Sequence, residues 1–136
     1  MKVVIDTNCL LASIPPKGSG YWLYEAFNLG KFIWVVSTEI LLEYYEMIID
    51  RYSKTAADLV IELMLTKSNI QMSESSFVLN LIEDDPDDNK FANLALSVGA
   101  SLLVSNDRHF DIFNNIDFPP LKVVKLDEFK TILAEK

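Results

Sequence analysis

Lys2-Val3-Val4-Ile5-Asp6-Thr7-Asn8 is the stretch on which the fold turns. Val3 to Ile5 is a short, unbroken apolar run, the composition of a strand buried on both faces in a parallel sheet. It stops on an acid. The apolar residues Cys9, Leu10, Leu11 and Ala12 that follow predict a short helix from Asp6 to Ser13. An acid in this place matters, because ligands of such sheets gather outside the carboxyl ends of the strands.

Outward from this stretch, the chain alternates strand-like and helix-like segments. Pro15-Pro16-Lys17-Gly18-Ser19-Gly20 is a break. Tyr21 to Leu29 then predicts a helix stopped by Gly30. Phe32 to Val36 reads as a second buried strand. Ser37 or Thr38 caps a helix from Glu39 to Tyr52, and Ser53 caps another from Lys54 to Lys67. Ile70–Met72 and Phe77–Ile82 are short apolar stretches, one of which is expected to be a third strand. Glu83-Asp84-Asp85-Pro86-Asp87-Asp88-Asn89 is a turn into a helix from Asn89 to Val98, stopped by Gly99. Ser101 to Ser105 is a further strand, and Asn106-Asp107 begins a turn and a short helix. Leu121 to Val124 is the last strand, and Asp127 is expected to cap a terminal helix. This alternation predicts a mostly parallel sheet covered by helices on both faces, in one domain spanning residues 1–136.

The bulk composition fits a single core. Of 136 residues half are apolar, with only 4 Gly and 5 Pro, so the chain is globular and not disordered. Cys9 is the only cysteine, which rules out an internal disulfide and suits a reducing cytoplasm, the expected location. No secretory signal is expected, because the opening apolar run is broken at Asp6. No apolar run approaches the roughly 20 residues that span a bilayer. The net charge of −8 argues against binding nucleic acid through a broad basic surface. It is compatible with a cluster of carboxylates that a bound cation would invert locally, and with a basic partner.

Four acids far apart in sequence are expected at one edge of the sheet. Asp6 ends the first strand, and Glu43 lies in the first turns of the helix leaving the second. Asp107 follows the strand Ser101–Ser105, and Asp88 opens the helix that feeds that strand. On the helix from Glu39, Ile40, Leu41, Tyr44, Met47 and Ile48 form one apolar arc at about 100° per residue. Glu43 borders that arc, whereas Glu39, Glu46 and Asp50 point further into water. Each acid alone has a plainer role: Asp6 and Asp88 as helix caps, Asp107 as a turn residue. Their convergence is what points to a cation site. All-oxygen ligation favours Mg2+ or Mn2+, and one Cys with one His does not build a usual zinc site.

Other residues carry less. His109 is the only histidine, has no nucleophile motif beside it, and reads as a surface residue. Cys9 reads as a packed thiol. Tyr44, Tyr45 and Trp34 read as core. Gly18-Ser19-Gly20 lacks the Lys-Ser/Thr of a phosphate-binding loop.

Four segments in this order resemble the PIN-domain family: Ile5-Asp6-Thr7-Asn8, Ser37 to Glu43, Asp85-Pro86-Asp87-Asp88-Asn89-Lys90-Phe91, and Val104-Ser105-Asn106-Asp107. The resemblance spans about residues 2 to 126. The Asp-Pro-Asp-Asp-Asn-Lys-Phe stretch is similar to a branch assigned to toxins of toxin–antitoxin pairs. The resemblance implies a three-layer α/β/α sandwich with a sheet of four or five strands, and a metal-dependent ribonuclease. It implies that Asp6, Glu43, Asp88 and Asp107 form an acidic tetrad for Mg2+ or Mn2+, with Asn8 and Ser105 supporting it by hydrogen bonds. Asp87 and Asp88 are adjacent, and Asp88 better fits the spacing to Phe91 and Ala92. The resemblance further implies an RNA substrate cut to a 5′-phosphate and a 3′-hydroxyl, a protein antitoxin, and a homodimer. Lys17, Lys90 and Arg108 are candidate phosphate contacts.

Two rival functions fit parts of the sequence. A catalytically weak or inactive module of the same fold, acting through protein or RNA binding, would account for the acidity. A receiver-like phospho-acceptor also carries acids at strand ends. That second rival needs paired acids after the first strand and a late lysine at a strand end. Asp6-Thr7-Asn8 supplies one acid, and Arg108 follows Asp107.

Overall fold

A computed structural model describes residues 1–76, 79–83 and 85–135. Five strands form one sheet: β1 (Lys2–Ile5), β2 (Ile33–Val36), β3 (Ile70–Met72), β4 (Leu102–Val104) and β5 (Val123–Val124). Every pairing is parallel, and the spatial order is β3-β2-β1-β4-β5. The helices are α1 (Thr7–Ala12), α2 (Tyr21–Asn28), α3 (Thr38–Arg51), α4 (Lys54–Thr66), α5 (Asn89–Val98) and α6 (Leu126–Ala134), and they flank the sheet as an α/β sandwich. Short 3₁₀ turns occupy Pro86–Asp88 and Arg108–Asn115.

The sheet is built from the apolar runs that the sequence marks. Val3, Val4 and Ile5 are fully buried and pair with Leu102, Leu103 and Val104 of β4. An aromatic group of Phe27, Phe32, Trp34, Tyr44 and Phe129 ties α2, β2, α3 and α6 together, with ring centroids 5.2–6.2 Å apart. Such offset and edge-on pairs add to the area that each ring buries. Trp34 and Tyr44 are therefore core, as expected, and so is Cys9. Burial pushes the Cys9 thiol up to about 12, which leaves it unreactive near neutrality.

The central position of β1 decides where a ligand can sit. From β1 the chain winds outward through β2 and β3, then returns to place β4 and β5 on the other side. The connections thus diverge outside the carboxyl ends of β1 and β4, the crevice in which open parallel sheets bind ligands. Asp6 N–H continues the ladder by donating to Val104 O at 2.9 Å, and Ser105 N–H donates to Val124 O at 3.0 Å.

The structure decides one open choice and differs from the sequence reading elsewhere. Tyr45, expected in the core, is only partly buried. Of the two stretches offered for the third strand, Ile70–Met72 is the one that forms it. Of the rival stretch Phe77–Ile82, residues 79–82 form no strand, and Phe77 and Val78 lie outside the described residues. Residues 79–82 are instead bound to α5: Leu79 N–H donates to Asn93 Oδ1 at 2.9 Å and Ile82 N–H to Asn89 Oδ1 at 3.0 Å. Side-chain amides here satisfy backbone groups that a sheet would otherwise take. The last strand shrinks to Val123–Val124. Finally, Asp127 lies inside the first turn of α6, where Lys125 holds the cap position and Glu128 accepts from the Lys125 N–H at 3.2 Å.

Candidate active site

Three segments bring carboxylates to the crevice. Asp6 follows β1 directly and is 5 % exposed. It holds the cap position of α1, yet its side chain makes no capping bond. It is turned toward β4, where Ser105 Oγ donates to Asp6 Oδ2 at 2.8 Å. The same hydroxyl accepts from the Asp107 N–H at 3.0 Å, so one serine links both strand ends. Asp107 does cap the turn that follows, its Oδ1 accepting from the His109 N–H at 2.9 Å. Burial raises the Asp6 carboxyl above the ordinary range. Ser105 pulls against that shift, and the charges of Asp107 and Glu43 add to it.

Glu43 enters from α3, which Ser37 caps by accepting from the Ile40 N–H at 3.1 Å. As the helix phase predicts, Glu43 is half-buried whereas Glu39, Glu46 and Asp50 are exposed. Two neighbours fix it: Thr7 Oγ1 donates to Glu43 Oε2, and Lys90 Nζ lies 2.7 Å from Oε1. The next residue, Tyr44, donates its hydroxyl to Ile5 O. α3 therefore grips the chain on both sides of Asp6.

Asp88 lies where the 3₁₀ turn passes into α5. Its side chain is 13 % exposed, against 80 % for Asp87, so of the two adjacent acids Asp88 faces the crevice. Burial pushes its carboxyl up to about 6, with the charges of Asp6, Asp85 and Asp107 acting in the same direction and His109 against them. Asn89 positions the turn, donating from Nδ2 to Ile82 O at 3.0 Å and to Pro86 O at 2.9 Å.

The four expected acids and Ser105 thus meet at one rim. Asn8 does not join them: it is exposed, and among the described residues its side chain makes no hydrogen bond. Its neighbour Thr7 touches the rim in its place. Lys90, expected at a phosphate, is engaged by Glu43. Lys17 and Arg108 are exposed. His109 is not a free surface residue: its Nδ1 lies 3.4 Å from Asp88 Oδ2 and 3.3 Å from Asp107 Oδ1. Position along the chain was the one signal for these partners, Thr7 following Asp6 and His109 standing two residues past Asp107.

The rim's donor set and charge suit a divalent cation, and among the described residues the ligand atoms that lie within 4.8 Å of one another are those of Asp85, Asp88 and His109. Asp6, Asp88 and Asp107 offer carboxylate oxygens alone, and among the described residues no Lys or Arg pairs with them. The upward shifts of Asp6 and Asp88 reflect carboxylates held together out of water without a full counter-charge.

The model of a family described as the PIN domain matches residues 2–109. No curated protein matches the sequence. Among solved structures, the chain is similar to VapBC2 from Rickettsia felis bound to a promoter DNA fragment, with a TM-score of 0.64 and 17 % identity over 92 % of this chain and 98 % of that one. It is similar to DNA-bound VapBC from Salmonella typhimurium, at 0.61 and 20 % identity over 93 % and 98 %. It is also similar to VapC20 from Mycobacterium tuberculosis, described as a toxin that cleaves the sarcin–ricin loop, at 0.59 and 11 % identity over 81 % and 93 %. At these identities the likeness is one of fold.

Proposed function

The chain belongs to the PIN-domain family, and from that premise we infer that it is a metal-dependent endoribonuclease, the toxin of a toxin–antitoxin pair. The observation that carries the reading is the meeting of Asp6, Glu43, Asp88 and Asp107 outside the carboxyl ends of β1 and β4. Likeness to a toxin described as cleaving the sarcin–ricin loop supports RNA as the substrate. Likeness to two VapBC assemblies supports a protein antitoxin as partner. A homodimer in the cytoplasm completes the reading, and no helix among the described residues is long and apolar enough to cross a membrane.

Asp6, Asp88 and Asp107 are the residues that would hold Mg2+ or Mn2+. Such a cation, when bound, lowers the pKa of water and stabilises charge that develops on the phosphate. Ser105 favours the ionised form of Asp6 by donating to it, against the burial that opposes it, and holds Asp107 in register through the same oxygen. Glu43 has one hydrogen bond from Thr7 and one ion pair with Lys90, so both oxygens are oriented while each keeps a free lone pair. In this reading Glu43 orients the attacking water and accepts its proton. The water oxygen bonds to phosphorus, the bond to the 3′-oxygen breaks, the departing 3′-oxygen takes a proton from solvent, and the products are a 5′-phosphate and a 3′-hydroxyl.

The test is cleavage of single-stranded and structured RNA by wild type and Asp6→Asn, with Mg2+, with Mn2+ and with chelator. Cation-dependent cleavage by wild type and its loss in Asp6→Asn are expected. Equal cleavage by both proteins would overturn the reading.

A further inference from the structure

We propose that Asp85, Asp88 and His109 form a mixed oxygen–nitrogen subsite for a divalent cation beside the carboxylate rim, and that His109 makes this protein favour Mn2+ over Mg2+. The subsite shares Asp88 with the rim and rests on the reading of that rim as a cation site.

One ligand atom from each of the three residues lies within 4.8 Å of the other two. Around a single ion with bonds of about 2.1 Å, neighbouring donors stand ~3 Å apart and opposite donors ~4.2 Å. A small side-chain rotation closes the set. The turn prearranges it: Asp88 N–H donates to Asp85 O at 3.0 Å, and in a 3₁₀ turn residues three apart lie over one another. Asp85 and Asp88 thus share a face from which Asp87 is turned away.

The imidazole is the informative member. Its Nδ1 faces Asp88 and Asp107 at 3.4 and 3.3 Å, longer than the usual N–H···O bond of about 2.9 Å. Those separations allow at most long hydrogen bonds and also suit donors that share an ion, about 3 Å apart. The ring is held in place by its own backbone, since His109 N–H is bound by Asp107 at 2.9 Å. The chemical consequence follows from ligand type. Carboxylate and water suit Mg2+ and Mn2+ alike, whereas an imidazole nitrogen favours divalent transition metals; Mn2+ is the weakest binder of that series and still takes a nitrogen donor more readily than Mg2+.

Pulsed electron paramagnetic resonance on the Mn2+-loaded chain tests this, because a ligating imidazole imprints nitrogen-14 coupling on the metal signal. Coupling is expected in wild type and absent in His109→Gln. Calorimetry should show Mn2+ affinity falling at least about tenfold in His109→Gln and in Asp85→Asn, as loss of a group that only supports a ligand already does. Mg2+ affinity should stay within about twofold in His109→Gln, where only the nitrogen donor is lost. Absence of nitrogen coupling in wild type, or equal losses for both cations in His109→Gln, would overturn the proposal. The wild-type spectrum needs no variant to fold. If nitrogen coupling is present and RNA is not cut, the subsite stands and the nuclease reading falls. If cation-dependent cleavage occurs without coupling, the subsite falls and the nuclease reading stands. No Mn2+ binding at all removes both.

Discussion

Lys90 Nζ lies 2.7 Å from Glu43 Oε1, and only 10 % of the lysine side chain is exposed. This pair joins α5 to α3 across the crevice and places the rim's one ammonium, among the described residues, on the one acid that also receives the Thr7 hydroxyl. Lys90 further donates to Asp87 O at 3.0 Å, which ties it to the turn carrying Asp88. Lys90→Gln should therefore leave Glu43 poorly compensated beside Asp6. A loss of about 1–3 kcal/mol is expected, below that of a fully buried pair because Glu43 keeps some contact with water. Urea unfolding measures it. Glu43→Gln combined with Lys90→Gln should recover most of the stability and none of the RNA cleavage.

Much of this arrangement was legible in the sequence, for a physical reason. Strands buried on both faces leave unbroken apolar runs, so β1, β2 and β4 were visible, and the acids that end or follow them fell at one edge by topology. Helix phase alone separated Glu43 from Glu39, Glu46 and Asp50. What stayed hidden depends on side-chain direction. Asn8 and Thr7 are adjacent in the chain but only Thr7 turns inward, and nothing in the sequence says so. His109 looked like a surface residue because its partner Asp88 lies 21 residues away on another turn. Residues 79–82 read as strand-like because their amide partners, Asn89 and Asn93, lie on a later helix.

That last relationship carries a prediction. Asn89 is 4 % exposed and bonds both backbone groups of Ile82, accepting from its N–H and donating to its carbonyl. Asn89→Ala strands two buried backbone groups, with an expected cost of about 2–3 kcal/mol. The same amide holds the Pro86 carbonyl at 2.9 Å, so the turn bearing Asp88 loosens as well. Hydrogen exchange should quicken at Ile82 and through residues 85–88, while β1 and β4 keep their protection. Unchanged exchange at Ile82 would refute the brace.

Ser105 acts on Asp6 in a way that can be read by pH. Its hydroxyl donates to the carboxylate at 2.8 Å and favours the ionised form against the burial that opposes it. Ser105→Ala should lift the Asp6 carboxyl further and cost about 1–2 kcal/mol of stability near neutral pH. The acid side of the pH–rate profile for RNA cleavage should move to higher pH. Ser105→Thr, which keeps the hydroxyl, should move it less. A profile identical to wild type in Ser105→Ala would show that the hydroxyl has no bearing on the charge of Asp6.

Asp88 links stability to pH with a defined sign, and the proposed cation should reverse it. Its carboxyl is pushed up to about 6 by burial and by Asp6, Asp85 and Asp107. In the unfolded chain it titrates at ~3.9. Between those values the folded protein binds more protons than the unfolded one, so the metal-free protein should lose stability as pH rises through about 4 to 6, then level off. The distance between the two values sets a ceiling of ~3 kcal/mol, and solvent screening of a partly exposed group brings the expected loss to ~1–2 kcal/mol. Other carboxylates shift the opposite way, Asp58 and Glu74 among them, so the difference between wild type and Asp88→Asn isolates the effect. The metal-free Asp88→Asn protein should be the more stable of the two at about pH 7.5, well above the folded-state titration. Mn2+ should reverse that order, since a bound cation supplies the missing counter-charge to wild type and little to the variant. Thermal melts at about pH 4.5 and 7.5, on either side of that titration, with and without Mn2+, make the comparison. A wild type already more stable than Asp88→Asn at the higher pH without metal would refute it.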